Sequence, residues 1–249
     1  MKSPGIKKVV VLGATSGIAQ PLMRMMARDG KELLLVARSQ ERLDAVRTDL
    51  LARGAPNVLT FEADLVTSQE LVVSFAKECL PDFDTLLLTY GTMLDQALCQ
   101  ISAEHAVREL ETNFVSAVAI LTRFAPYFES RRSGTISVIT SVAGDRGRRS
   151  NYVYGAAKGG LSIFLQGLRS RLHHCGVRVL TIKPGPVDTA MTAGLEDVPF
   201  VASAESVAKD IYRALENRRT DAIYTPARWR WIMAAVRFVP ERYFKRVSI

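Results

Sequence analysis

Hydrophobic residues follow two alternating patterns along this chain. Short, almost uniformly apolar runs occupy Lys8–Leu12, Glu32–Ala37, Val58–Glu62, Thr85–Thr89, Thr135–Thr140 and Arg178–Lys183, with a weaker run at Ala222–Tyr224. Runs of this length without polar alternation predict strands covered on both faces, as in a parallel sheet. Between them, apolar positions recur at helical spacing over 17–29, 40–53, 67–79, 102–130, 152–174 and 204–217. Strand and helix alternating in this way predict an α/β fold: a doubly wound, Rossmann-like parallel sheet of about seven strands with helices on both faces. No linker, repeat or low-complexity segment interrupts residues 1–225, so they read as one nucleotide-binding and catalytic domain. Residues 226–249 differ. They hold both tryptophans and six basic residues against one acid, a tail that either belongs to the same domain or forms an interfacial helix.

Composition adds limits. The chain has 249 residues, 48% hydrophobic and 23% charged, which fits one globular unit and excludes disorder. A net charge of +8 suits an anionic partner. Nucleic acid explains it poorly, because the basic residues concentrate in the tail and one loop without a base-stacking motif. Three cysteines with no Cys-x-x-Cys spacing and only three histidines argue against a disulfide framework and against a metal site. No export signal or membrane-length apolar stretch is visible, and a cytoplasmic location is expected.

The first strand runs into Gly13-Ala14-Thr15-Ser16-Gly17-Ile18-Ala19 and then a helical pattern. A glycine-rich turn there lets backbone N–H groups approach a pyrophosphate at a helix N-terminus, which makes Gly13, Ser16, Gly17 and Ile18 candidate cofactor contacts. At the tip of the second strand an acid would accept from the ribose 2′-hydroxyl of NAD; here Arg38 and Ser39 stand instead. A guanidinium suits a 2′-phosphate, so NADP(H) is favoured over NAD, against the plainer reading of a solvated arginine. Asp64 and Leu65 follow the third strand, where a carboxylate would accept from the adenine amine or cap the next helix.

Tyr154 and Lys158 are four residues apart in a long helical run, on one face. A neighbouring ammonium would favour the phenolate and make the tyrosine a usable acid or base. Ser141 lies just past the fifth strand, at the carboxyl edge where such sheets bind ligands.

On these residues the chain resembles the short-chain dehydrogenase/reductase family over at least residues 7–225. The family's Thr-Gly-x-x-x-Gly-x-Gly turn matches at Gly13 and Gly17 and departs at Leu12 and Ala19. Its Asn-Asn-Ala-Gly appears as Leu88-Thr89-Tyr90-Gly91, with Thr89 standing for the structural asparagine and Tyr90 lining the cofactor through its backbone. The resemblance implies that Asn113 holds a water linking Lys158 to solvent. It also implies that Pro184, Val187 and Thr189 grip the nicotinamide. The implied chemistry is hydride transfer to a carbonyl, with Tyr154 donating the proton, Ser141 stabilising the oxygen and Lys158 binding the ribose.

Arg146, Arg148 and Arg149, between Ser141 and Tyr154, form a basic loop at the expected mouth of the site that could hold a phosphate or lie solvated. Trp229–Val239 reads as an apolar helix flanked by arginines, either interfacial at the inner face of a membrane or docked on the domain or a partner subunit. The segments 90–95 and 141–151 and the tail are similar to the family branch that reduces a 2-keto pentose carried on a polyprenyl phosphate. A 3-oxoacyl or other lipid ketoreductase would use the same residues, and a cofactor-sensing scaffold is the non-enzymatic alternative. The small residues Gly155, Ala156, Gly159, Gly160 and Ser162 permit close helix approach, and the family resemblance implies a homodimer or homotetramer.

Overall fold

The computed structural model describes residues 5–193, 199–217 and 220–246. The predicted alternation is realised as β1 (Lys8–Leu12), α1 (Ala19–Arg28), β2 (Glu32–Ala37), α2 (Gln40–Ala52), β3 (Val58–Glu62), α3 (Gln69–Cys79) and β4 (Thr85–Leu88). The second half runs α4 (Gln96–Ile101), α5 (Ala103–Leu110), α6 (Ser116–Arg131), β5 (Thr135–Ile139), α7 (Tyr152–His173) and β6 (Arg178–Pro184). A two-residue ladder, β7 (Val187–Asp188) with β8 (Ala202–Ser203), precedes α8 (Ala204–Asn217) and β9 (Ala222–Thr225). The main sheet has seven parallel strands in the order β3-β2-β1-β4-β5-β6-β9.

The uninterrupted apolar character of the strands follows from this layering. Val10 and Leu12 of β1 enter one core with α3, α6 and α7, while Val9 and Val11 enter the other with α1, α2 and α8. Each strand residue therefore has a dry side, and none of the four central β1 valines and leucine is exposed at all. The strand order reverses between β1 and β4. At such a switch point the carboxyl ends of the strands open a crevice, and the candidate residues after β1, β2, β4, β5 and β6 all leave the sheet on that edge.

One element differs from expectation, and the tail takes one of its two expected forms. The helix expected over 102–130 is α5 and α6 joined by a π-turn at Glu111–Val115, and α4 precedes it. The tail forms α9 (Arg228–Phe238) and α10 (Glu241–Phe244), and it packs on the domain. The apolar face read as interfacial is spent there: Trp229 and Met233 are buried against Val142, with Ile232 and Val236 beside them. Trp231 and Phe238 point outward instead, 73% and 87% exposed.

Polar contacts fix that docking. Asp145 ends the 3-10 turn Val142–Asp145 after β5, and its carboxylate is almost wholly buried. It accepts from Lys183 Nζ at 2.5 Å, from Arg237 Nη2 at 2.7 Å and from the Tyr224 hydroxyl at 2.7 Å, joining β6, β9 and α9. Replacing Asp145 with alanine strands the Lys183 ammonium in a nearly dry site. Asp145→Ala should therefore lower the unfolding free energy by about 3 kcal/mol in urea titration, most of it from Lys183 because Arg237 is half-exposed. A loss below about 1 kcal/mol would mean that the cluster does not hold the tail.

Candidate functional site

Close backbone approach shapes the phosphate end. Gly13 has φ +89°, and a Cβ there would sit 2.6 Å from Tyr90 N, so both conformation and space require glycine. A Cβ on Gly17 would meet Thr189 Cγ2 at 2.8 Å, which brings the turn against the segment after β6. Thr89 performs the bridging expected of it: its hydroxyl lies 3.0 Å from Leu12 O and 2.8 Å from Gly13 O. Ser16 N donates to Gly13 O within the turn, and α1 then begins after Ile18 with no side-chain cap and no acid in its first turn. Its leading N–H groups suit a phosphate anion.

Arg38 is exposed at the tip of β2. Ser39 has a second task, since its Oγ caps α2 by accepting from Arg42 N at 3.4 Å. Arg42 was missed by sequence reasoning. Its Nη2 donates to Thr15 O at 3.3 Å, which leaves two guanidinium-bearing residues beside the glycine-rich turn. A cation in the first turn of a helix works against the helix dipole, and that was the available signal. Asp64 is not the cap of α3, which begins at Gln69; its carboxylate accepts from Val66 N at 2.7 Å and closes a turn, and Leu65 is buried beneath it. The residues present fit a dinucleotide carrying a 2′-phosphate.

At the chemical end, Asn113 and Lys158 meet at Gly91, Lys158 lies by the Tyr154 ring, and Tyr154 is neighbour to Ser141. A Cβ on Gly91 would lie 2.6 Å from Asn113 Oδ1 and 3.0 Å from Lys158 Nζ. The Ser141 Oγ accepts from Ala143 N at 3.0 Å, and the Ser141 side chain favours the ionised Tyr154 phenol. Lys158 Nζ sits 5.7 Å from the centre of the Tyr154 ring. Pro184 ends β6, Val187 is buried, and Thr189 Oγ1 donates to Val187 O at 3.4 Å, which folds this segment over Gly17.

The electrostatics differ from the expectation that Lys158 lowers the tyrosine's pKa. Burial dominates and pushes the Tyr154 phenol up to about 12; the Ser141 side chain and the Arg148 charge oppose it, while Glu109 adds to it. The phenol is therefore protonated at neutral pH, ready to donate. Burial also pulls the Lys158 ammonium down to about 8, and Glu109 works against that loss.

Asn113 sits in the π-turn with both ends of its amide hydrogen-bonded. Its Oδ1 accepts from Thr92 N at 3.2 Å, and its Nδ2 donates to Thr92 O at 3.0 Å and Glu109 O at 3.1 Å. Glu109 is the second residue missed. It is 1% exposed, and its Oε2 accepts from Thr92 Oγ1 at 2.8 Å and Leu94 N at 3.2 Å. A carboxylate at an i−4 position to Asn113 in an otherwise ordinary helical pattern carries no sequence signature of its own.

The three loop arginines separate. Arg146 turns to the tail, where Nη1 donates to Val236 O and Val239 O at 2.5 Å each, Nη2 pairs with Glu241 at 3.0 Å, and the guanidinium lies 3.8 Å from the Phe244 ring centre. That is a tail clamp, not a phosphate ligand at the mouth. Arg149 is exposed, and Arg148 is half-buried beside Tyr154. Among the described residues no cluster of three potential metal ligands occurs, and no helix is long and apolar enough to cross a membrane.

A switch-point crevice with a glycine-rich turn at one end and a Ser-Tyr-Lys-Asn cluster at the other defines a nucleotide-dependent oxidoreductase. The chain belongs to the short chain dehydrogenase family, whose model matches residues 7–198. It is 37% identical over 250 residues to an uncharacterized oxidoreductase of Mycobacterium tuberculosis, covering 99% of both chains. It is 26% identical over 223 residues to the ketoacyl reductase HetN of Nostoc sp., covering 87% of this chain and 78% of that one. Its fold is similar to that of a short-chain dehydrogenase from Sphingobium yanoikuyae in complex with NADPH, with TM-score 0.80, 26% identity and 93% of each chain covered.

Glu109 yields a pH prediction. Its carboxylate favours the Lys158 ammonium, so Glu109→Gln should let Lys158 lose its proton at lower pH. The falling alkaline limb of kcat/KM for carbonyl reduction, near pH 8 in the wild type, should move to lower pH in the variant. An unmoved limb would show that Glu109 does not act on Lys158.

Proposed function

We propose that this protein is an NADPH-dependent ketoreductase and that its substrate is a 2-keto sugar carried on a polyprenyl phosphate. The observation that carries the reductase reading is the run of neighbours Asn113, Lys158, Tyr154 and Ser141, at the same sheet edge as a turn suited to phosphate. Bound NADPH supplies the hydride. Tyr154, protonated by virtue of its burial, donates the proton to the carbonyl oxygen, and Ser141 stabilises the charge that develops there. Lys158 holds the nicotinamide ribose. Gly13, Gly17 and the α1 N-terminus receive the pyrophosphate, Arg38 and Arg42 receive the 2′-phosphate, and Pro184, Val187 and Thr189 flank the nicotinamide. The solved relative in complex with NADPH supports the coenzyme choice.

The sugar substrate is supported by the +8 charge and by the resemblance in segments 90–95 and 141–151. In that reading the enzyme works in the cytoplasm against the inner membrane face, with Trp231 and Phe238 as its lipid contacts. A 3-oxoacyl substrate is the second reading, supported by the likeness to the Nostoc ketoacyl reductase.

NADPH oxidation should be measured against keto-sugar phosphates and 3-oxoacyl thioesters. Tyr154→Phe should abolish turnover, by at least about a hundredfold, while leaving NADPH affinity near wild type. Near-wild-type reduction by this variant would overturn the mechanism, and preference for thioesters would replace the substrate.

The protein is also read as a homo-oligomer, through exposed apolar residues and not through the small residues of α7. Gly155 and Gly159 are occupied within the chain by Ala143 and Gly144, and Gly160 by Phe114. Ile163 on α7 and Val107 and Val115 on the adjoining helices remain exposed, at 70%, 50% and 54%. Ile163→Glu should reduce the mass seen by light scattering at micromolar concentration to that of a monomer; a wild-type monomer would contradict the reading.

A further inference from the structure

Buried polar atoms without a partner gather where the loop after Ser141 enters α7. They are Arg148 Nε, Gln96 Nε2 and Asn151 Oδ1. All three belong to one knot of chain. Gln96 Oε1 accepts from Val153 N at 3.1 Å, and Asn151 N donates to Arg148 O at 3.1 Å. Asn151 stands at the N-cap of α7 without capping it, three residues before Tyr154. Leaving buried donors and an acceptor unmatched is costly in a folded chain unless something else matches them.

Arg148 is the sharpest case. Arg146 spends its donors on tail carbonyls and Glu241, whereas no carboxylate among the described residues pairs with Arg148. A guanidinium half-withdrawn from water with no counter-ion is unfavourable, and burial weakens its hold on the proton. Asn151 N donates to the Arg148 carbonyl, and α7 begins at Tyr152, just before Tyr154, so the anion that Arg148 lacks belongs on the side of the site where that helix begins.

We propose that Arg148 and Gln96 form an anion subsite for the substrate, holding a phosphate or carboxylate of the molecule whose carbonyl meets Tyr154, and that Asn151 accepts from a neighbouring hydroxyl. This rests on the reductase reading and narrows it. Two donors and one acceptor select a ligand that offers anionic oxygens and an O–H together. A hydroxylated phosphate ester has both, whereas a 3-oxoacyl thioester has neither beside its ketone. Arg148 and Gln96 are then specificity-determining residues, distinct from the groups that move the proton.

Binding of three-carbon ketones to the protein loaded with NADP+ tests this by calorimetry, independently of turnover. The probes are dihydroxyacetone, dihydroxyacetone phosphate and hydroxypyruvate. Wild type should bind one or both anionic ketones at least tenfold more tightly than dihydroxyacetone, and the better one identifies phosphate or carboxylate. Arg148→Met should bring that ratio close to one, and Arg148→Lys should keep part of it. Arg148→Gln serves the same comparison if the methionine variant does not fold. An unchanged ratio in the neutral variant, or no preference in wild type, would overturn the subsite. NADPH oxidation is scored separately: absence of turnover with an intact ratio defeats the reductase reading and leaves the subsite standing.

Discussion

The Ser141 turn lies against α7 backbone to backbone, and much of the rest of the molecule depends on that approach. A Cβ on Gly144 would fall 2.5 Å from Gly159 N and 2.6 Å from Lys158 C, and a Cβ on Gly155 would fall 2.9 Å from Ala143 O. Only bare glycines on both surfaces permit this contact. It fixes the distance from Ser141, at the end of β5, to Tyr154 and Lys158 one helical turn apart on α7. The site therefore stands on a rigid sheet edge and a long helix, not on loops free to drift.

Dryness governs what those residues can do. Tyr154 and Lys158 are both nearly inaccessible to water, and desolvation pushes each towards its neutral form. For the phenol, neutral means proton-bearing, which suits a donor. For the lysine, neutral means loss of the ammonium, which the buried Glu109 carboxylate opposes. One environment thus acts in opposite functional senses on two neighbours, and a third residue corrects the unfavourable one. The same carboxylate accepts from Thr92 and Leu94, so it also fixes the strand-to-helix segment that carries Gly91.

The sheet was legible because its strands are dry on both faces and their sequence shows it without reference to anything distant. The candidate site residues were legible because Tyr154 and Lys158 share a helix face, Ser141 follows a strand and Asn113 matches a family position. Elements decided by packing were not. The π-turn at Glu111–Val115 interrupts a sequence that continues helically on either side, and α4 is six residues of ordinary composition. Glu109, Arg42 and Gln96 matter through what they meet across the fold. The apolar face of α9 was read correctly as a face, but amphipathicity alone does not say whether lipid, subunit or domain covers it. Val142 and Tyr224 decide that, and they lie far away in the chain.

The basic loop shows most clearly how one sequence signal divides. Asp145 and Arg146 face the tail, one by ion pairs to Lys183 and Arg237 and the other by clamping the carbonyls at the end of α9. Two residues later Arg148 faces Tyr154. A 3-10 turn that gives way to extended backbone at Arg146 sends successive side chains to different sides. The net charge of the loop was therefore a poor guide to its role, since the cation nearest the tail is already neutralised within the chain. The informative charge is the half-buried Arg148, with which no carboxylate among the described residues pairs. It also ties the tail to the site mechanically, because the segment that positions Arg148 is anchored at one end by α9 and at the other by the N-terminus of α7. The tail thus helps to frame the mouth of the site even though its aromatic side chains point elsewhere.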